Sequence, residues 1–118
     1  MGLPEADLTP PLLKLAGRRR QDVDRLRVRT RIDEPGSVRV SGSAKVRGRR
    51  TGFRLRAVRR SLAADGAKTF RLRMRRGALR RVKRALRRGR RVVARVKVVA
   101  TDDDGNRTVV TRRIRLRP

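Results

Sequence analysis

Hydrophobic and basic residues alternate along much of this chain. The pattern is clearest at residues 25–32, 54–56, 70–74 and 113–117. Successive side chains of a β-strand point to opposite faces, so such a segment presents aliphatic groups to a core and guanidinium groups to water. The alternation therefore predicts strands, with Leu26, Val28 and Ile32 among the inward-facing residues.

This period-two pattern recurs often enough to predict about seven strands. We place them at residues 12–15, 24–32, 38–46, 53–58, 68–75, 92–100 and 107–117. Turn-forming residues such as Pro35 and Gly36 separate them, and residues 18–22 are interpreted as a polar connection. Gly42 interrupts the third predicted strand, which indicates a bulge or bend there.

The period changes from two to nearly four after Gly77. The apolar residues that follow fall on one stripe of an α-helix at about 78–88: Ala78, Leu79, Val82, Ala85 and Leu86. Basic residues occupy the remainder of that helix surface. Gly89 is well placed to end the helix.

Several short strands without alternating helices favour a sandwich over a parallel sheet. We expect a mainly β protein, an antiparallel β-sandwich of about seven strands with one inserted α-helix. The chain of 118 residues suits one domain, predicted at 12–118 after an extended, proline-containing lead-in at 1–11.

No apolar run approaches the roughly 20 residues of a membrane-spanning helix, so no transmembrane segment is expected. Residues 1–5 also lack the charged and apolar regions of a signal peptide.

Three features resemble a known class of module: Thr9-Pro10-Pro11, the arginine-rich helix, and Ala100-Thr101-Asp102-Asp103-Asp104-Gly105-Asn106 before the last strand. Over residues 9–118 the chain resembles the immunoglobulin-like or fibronectin-type-III-like modules of bacterial, especially actinobacterial, secreted and surface proteins. The resemblance implies an immunoglobulin-like fold and a non-enzymatic structural, spacer or adhesive role. It also implies neighbouring domains of a longer chain as partners and an extracellular or cell-envelope location.

The charge is strongly one-sided. There are 37 basic and 10 acidic residues, a net charge of +27, and 32 of the basic residues are arginine. Such a surplus attracts anionic polysaccharide, anionic lipid or nucleic acid through long-range electrostatics. A GC-rich genome also favours arginine codons, so part of the charge can reflect genome composition.

The arginines of the predicted helix are the candidate polyanion-binding residues: Arg80, Arg81, Arg84, Arg87 and Arg88. In one interpretation they contact an anionic polysaccharide, a cell-surface polymer or, as the alternative function, nucleic acid. In the other, the helix docks Leu79, Val82 and Leu86 over an end of the sandwich and its arginines are merely solvated. The chain has two Phe and no Tyr or Trp, so the aromatic platforms of a dedicated single-strand binder are missing.

Candidate chemistry is sparse. Histidine and cysteine are absent, which excludes an imidazole base, a thiolate zinc site and a disulfide. None of the four serines lies in a Gly-x-Ser-x-Gly or Ser-x-x-Lys motif. We therefore expect no enzyme activity and no cofactor.

Three residues near the last predicted turn carry oxygen atoms that could bind calcium. Asp102, Asp104 and Asn106 are the candidate ligands, but their spacing does not match an EF-hand loop. We favour a hairpin turn with solvated aspartates.

Overall fold

The computed structural model describes residues 9–118, so most of the predicted lead-in at 1–11 lies outside the described residues. The strands are β1 (Leu13–Ala16), β2 (Arg20–Asp22), β3 (Arg27–Ile32), β4 (Gly36–Val46), β5 (Gly52–Leu62), β6 (Ala67–Arg71), β7 (Val92–Asp102) and β8 (Arg107–Arg117). The helix α1 (Arg76–Arg87) connects β6 to β7, and a 3-10 turn (Val23–Arg25) connects β2 to β3.

The strands form two sheets. One has the order β1-β3-β6 and the other the order β2-β8-β7-β4-β5. This confirms the predicted mainly β sandwich with one inserted helix, with eight strands in the described residues where about seven were expected. The pairing is antiparallel except between β2 and β8, which run parallel.

The core lies between the sheets and follows the predicted strand phases. The inward-facing residues of β3, β4 and β7 are buried, and so are Phe70, Leu72 and Met74. The helix adds Val82 and Leu86 to the same cluster. The arginines that alternate with these residues are exposed.

The segment interpreted as a polar connection is partly a strand, which corrects that prediction. In β2, Arg20, Gln21 and Asp22 pair with the last residues of β8. Residues 23–25 form the 3-10 turn, so β3 begins at Arg27 rather than at residue 24. Tertiary pairing overrides the local polarity of residues 18–22, because their backbone groups can complete the edge of the larger sheet.

The irregularity predicted at Gly42 lies in the pairing of β4 with β5, whereas the strand itself is continuous. The register between β4 and β5 shifts between Val40 and Gly42, as at a β-bulge. On its other side β4 pairs with β7 without a break. The helix begins two residues before its predicted start, because the Leu79 N–H already donates to the Arg75 carbonyl at 2.9 Å. Gly89 ends it in a left-handed conformation with φ of 76°.

Hydrogen bonds connect the two sheets at both lateral edges of the sandwich. On one side the Arg56 N–H donates to the Arg73 carbonyl at 2.8 Å. On the other, the Arg112 guanidinium of β8 donates to the carbonyls of Leu15 and Gly17 at 3.3 and 2.6 Å. These contacts fix the two sheets relative to each other.

Over residues 9–118, no helix is both long enough and apolar enough to cross a membrane.

Candidate polyanion-binding surface

The helix presents its arginines to solvent because its apolar stripe is used by the core. Val82, Ala85 and Leu86 are buried, and Ala78 and Leu79 pack against the same cluster. The five candidate arginines are all exposed: Arg80, Arg81, Arg84, Arg87 and Arg88. The helix is therefore docked on the sandwich, and its basic face is still accessible.

Two turns with the same sequence lie beside the C-terminal end of this helix. The tetrapeptide Arg-Gly-Arg-Arg occurs at 47–50, between β4 and β5, and at 88–91, between α1 and β7. Gly48 and Gly89 take the left-handed conformation, with φ of 85° and 76°, that a side chain would strain. The turns are neighbours because Val46 pairs with Val92, and the Arg47 N–H donates to the Arg91 carbonyl at 2.9 Å.

These turns, the helix and the ends of two strands surround two adjoining hollows, which we call together the cationic end. The first, of about 190 Å³, is lined by Arg49, Arg81, Arg84, Arg88 and Arg90. The second, of about 620 Å³, is lined by Arg20, Arg47, Arg90, Arg91, Arg115 and Arg117. Arg90 contributes to both, so the two hollows form one continuous surface.

The structure brings together part of the predicted site. Arg81, Arg84 and Arg88 line the first hollow, whereas Arg80 and Arg87 lie outside both. At 100° per residue the five arginines span an arc of about 120° on the helix surface, with Arg80 and Arg87 at one edge and Arg81 and Arg88 at the other. The additional arginines come from turns and strands that sequence reasoning did not connect with the helix. The repeated Arg-Gly-Arg-Arg is the signal that could have identified those of the turns, whereas nothing in the sequence marks Arg20, Arg115 and Arg117.

Few negatively charged side chains of residues 9–118 lie near the cationic end. No Asp or Glu side chain in this described range lines either hollow. Nearby, Asp22 pairs with Arg117 at 2.6 Å, and Asp24 pairs with Lys83 at 2.8 Å. Both pairs are substantially exposed, so solvent screens them and they offset only a small part of the positive charge.

Acidic residues gather at the opposite end of the sandwich. Of the eight acidic residues within 9–118, six lie in or beside the turns that follow β3, β5 and β7: Asp33, Glu34, Asp65, Asp102, Asp103 and Asp104. Pairing of Gly36 with Asp102, and a hydrogen bond from Ile32 to Gly66, bring these turns to one end. Charge is therefore segregated along the strand direction.

Asp102 is an internal support of the β7–β8 turn. Its Oδ1 accepts hydrogen bonds from the Asp104 and Asn106 N–H groups at 3.0 and 2.8 Å. Its Oδ2 accepts one from Asn106 Nδ2 at 3.1 Å. The expectation of solvated aspartates is therefore wrong for Asp102, which is only 7% exposed, and right for Asp103 and Asp104, which are exposed.

The same contacts argue against calcium at the candidate ligands Asp102, Asp104 and Asn106. Calcium takes six to eight oxygen ligands, and both Asp102 oxygens are engaged by N–H donors of the turn. Among the described residues, no group of three or more potential acidic, His or Cys ligands is arranged to hold a metal ion.

Opposing effects act on the pKa of Asp102. Burial alone raises it, but hydrogen bonds donated by the Asn106 backbone and side chain and by the Asp104 backbone, together with a hydrogen bond shared with the Glu34 carboxyl, bring the pKa below its ordinary value. A carboxyl whose pKa is lower in the folded state stabilises the fold above its unfolded pKa of about 3.9, and that contribution is lost as the pH falls.

We predict that Asp102→Asn makes the protein less stable at pH 7 and flattens the fall in melting temperature below about pH 4. The asparagine amide would place a donor against Asn106 Nδ2 and would not titrate. Thermal unfolding followed by circular dichroism from pH 3 to 7 measures both effects. Asp103→Asn removes the same charge from an exposed position and should keep the wild-type acid dependence. Equal acid dependence of Asp102→Asn and the wild type would contradict the role of Asp102.

No protein-family model matches this chain, and a search of curated proteins finds no match either.

Proposed function

We propose that this chain is a non-enzymatic adhesive module that holds an anionic polymer against its cationic end. The observation that carries this proposal is the convergence of two Arg-Gly-Arg-Arg turns and the end of α1 on adjoining hollows that no Asp or Glu side chain of the described residues lines. Arginine suits this task because its planar guanidinium can donate two parallel hydrogen bonds to a carboxylate, sulfate or phosphate.

The sandwich supports binding by holding these arginines on a fixed backbone. The two turns are joined through the pairing of β4 with β7 and the Arg47–Arg91 hydrogen bond. The helix is anchored by its buried stripe, Val82 foremost. Because the backbone is already ordered, binding must order only the arginine side chains, which lowers its entropic cost.

The resemblance to immunoglobulin-like and fibronectin-type-III-like modules supports the wider setting that we propose. In that setting the module belongs to a larger secreted or cell-envelope protein, acts as a spacer between neighbouring domains, and contacts an anionic cell-surface polymer. The acidic turns lie at the end opposite the cationic end, so contact with the polymer leaves them directed away from it.

A second candidate function is sequence-independent nucleic-acid binding through the helix. The observation that favours it is that the arginines at 80, 81, 84, 87 and 88 are all exposed on an element anchored to the body of the protein. In this case phosphate contacts would supply the affinity.

A pair of double variants tests the proposed function. Arg84→Gln with Arg88→Gln removes two charges that line the first hollow, whereas Arg80→Gln with Arg87→Gln removes two charges of the same helix that lie outside it. We expect the first pair to weaken binding to a sulfated polysaccharide about tenfold and to reduce the salt slope by about two, and the second to have a clearly smaller effect.

Titrations of labelled heparin and of a duplex DNA with equal total charge, at several salt concentrations, measure these effects. Tighter binding to the duplex, with equal losses from both double variants, would favour the nucleic-acid function. Absence of heparin binding by the wild type at about 0.1 M salt, where screening is moderate, would overturn the adhesive function.

A further inference from the structure

The outward face of the five-stranded sheet carries a second basic surface, separate from the helix arginines. An open groove of about 1200 Å³, which we call the sheet groove, extends from this face along the edge strand β5 to the start of α1. Its basic side chains come from β4, β5, β7 and the start of the helix: Arg39, Arg54, Arg56, Arg75, Arg95 and Lys97. None of them lines the cationic end.

The register of the strands places hydroxyl groups between these charges. Ser43 of β4 pairs with Arg54 on one side and with Arg95 on the other, so it lies between them in one row across the sheet. In the next row, Ser41 pairs with Lys97, which itself pairs with Thr111 of β8. Neighbouring strands are about 4.8 Å apart, so cations and hydroxyls follow one another at short, regular intervals.

The basic side chains of the sheet groove have no partner within the described part of the chain. Within residues 9–118, no Asp or Glu side chain lines the groove, and its six basic side chains have neither an ion pair nor a side-chain hydrogen bond. Arg39, Arg54 and Arg95 are exposed. These guanidinium groups are therefore available to anions from solution.

The uncharged hydroxyl groups of the sheet groove favour one class of anionic polymer over another. A polymer with hydroxyls between its anionic groups can hydrogen-bond to Ser41, Ser43 and Thr111 while its anions meet the arginines. Single-stranded nucleic acid would instead require exposed aromatic surfaces for its bases. Among the described residues, the only aromatic residue that lines the groove is Phe53, and it is half-buried against the core.

We propose that the sheet groove binds a linear acidic polysaccharide, with sulfate or carboxylate groups on Arg39, Arg54 and Arg95 and sugar hydroxyls on Ser41 and Ser43. The inference rests on the proposed adhesive function, to which it adds the chemical class of the polymer and a second contact surface. A chain that spans both surfaces would bind more tightly than either surface allows alone.

Two double variants on interior strands provide a matched test. Arg39→Thr with Arg95→Thr removes two arginines of the sheet groove, whereas Arg29→Thr with Arg31→Thr removes two exposed arginines from β3, in the middle of the other sheet. Both lower the net charge equally. Affinity for a labelled heparin dodecasaccharide should fall about tenfold in the first variant and less than about threefold in the second. Salt screens the long-range attraction to distant charges, so the loss of a direct contact has the larger effect.

A third variant, Ser43→Val, removes a hydroxyl without changing the charge. We expect weaker dodecasaccharide binding with an unchanged salt slope, because no ionic contact is lost. A thymidine oligonucleotide with the same number of charges should bind the wild type more weakly and should not respond to Ser43→Val.

The outcomes separate this inference from the function on which it rests. Equal losses in the two double variants, while Arg84→Gln with Arg88→Gln still weakens binding, would overturn the sheet groove and leave the cationic end in place. Tighter binding of the oligonucleotide than of the dodecasaccharide would overturn the assignment to polysaccharide. Failure of the wild type to bind the dodecasaccharide at all would overturn both proposals.

Discussion

Replacement of Gln21 by leucine is expected to lower the free energy of unfolding by about 3 kcal/mol, because it leaves three backbone groups without their partner. Gln21 is only 6% exposed. Its Nε2 donates to the carbonyls of Arg18 and Arg27 at 2.8 and 2.9 Å, and its Oε1 accepts from the Arg27 N–H at 2.9 Å. One amide thus joins the start of β2 to the start of β3.

Leucine has a similar volume, so the variant separates hydrogen bonding from packing. Gln21→Glu removes the donor and adds a negative charge, since it keeps an acceptor for the Arg27 N–H but turns a carboxylate oxygen toward two carbonyls. We expect Gln21→Glu to be at least as unstable as Gln21→Leu. Urea unfolding at pH 7 measures both, and a change below about 0.5 kcal/mol, the range of ordinary surface substitutions, would contradict this role.

Replacement of Gly42 by alanine is expected to cost about 2 to 3 kcal/mol through overpacking. A Cβ atom at Gly42 would lie 2.3 Å from the Arg95 carbonyl oxygen and 3.1 Å from the Val96 Cα. Both are backbone atoms of β7, which pairs with β4 along its whole length. Relief of the clash therefore requires two central strands to separate.

Gly77 provides the matched control, because a Cβ atom there meets nothing within 4 Å. Gly77 lies in the first turn of α1, where alanine should stabilise by up to about 1 kcal/mol. The same substitution is thus expected to change stability in opposite directions at the two positions. Equal urea midpoints for Gly42→Ala and the wild type would show that the strands accommodate the methyl group without strain.

Part of the candidate site could be predicted from the sequence. The apolar stripe of α1 determines which side of the helix is buried, so the exposure of Arg81, Arg84 and Arg88 could be predicted from their spacing. Their convergence with Arg49 and Arg90 could not, because it depends on the pairing of β4 with β7, which brings residues about forty positions apart to one end. The sheet groove is likewise a product of strand order.

The sequence by itself determined which side chains of β3, β4 and β7 face inward, the helix after Gly77 and an irregularity of strand pairing near Gly42. These properties follow from local periodicity and from the absence of a side chain on glycine. Only the tertiary structure decided that residues 20–22 join β8 as a parallel edge strand, that Asp102 is enclosed by its own turn, and that the two Arg-Gly-Arg-Arg turns meet. The physical reason is that alternation specifies the face of a residue, whereas the neighbours of a strand depend on hydrogen bonds with distant segments.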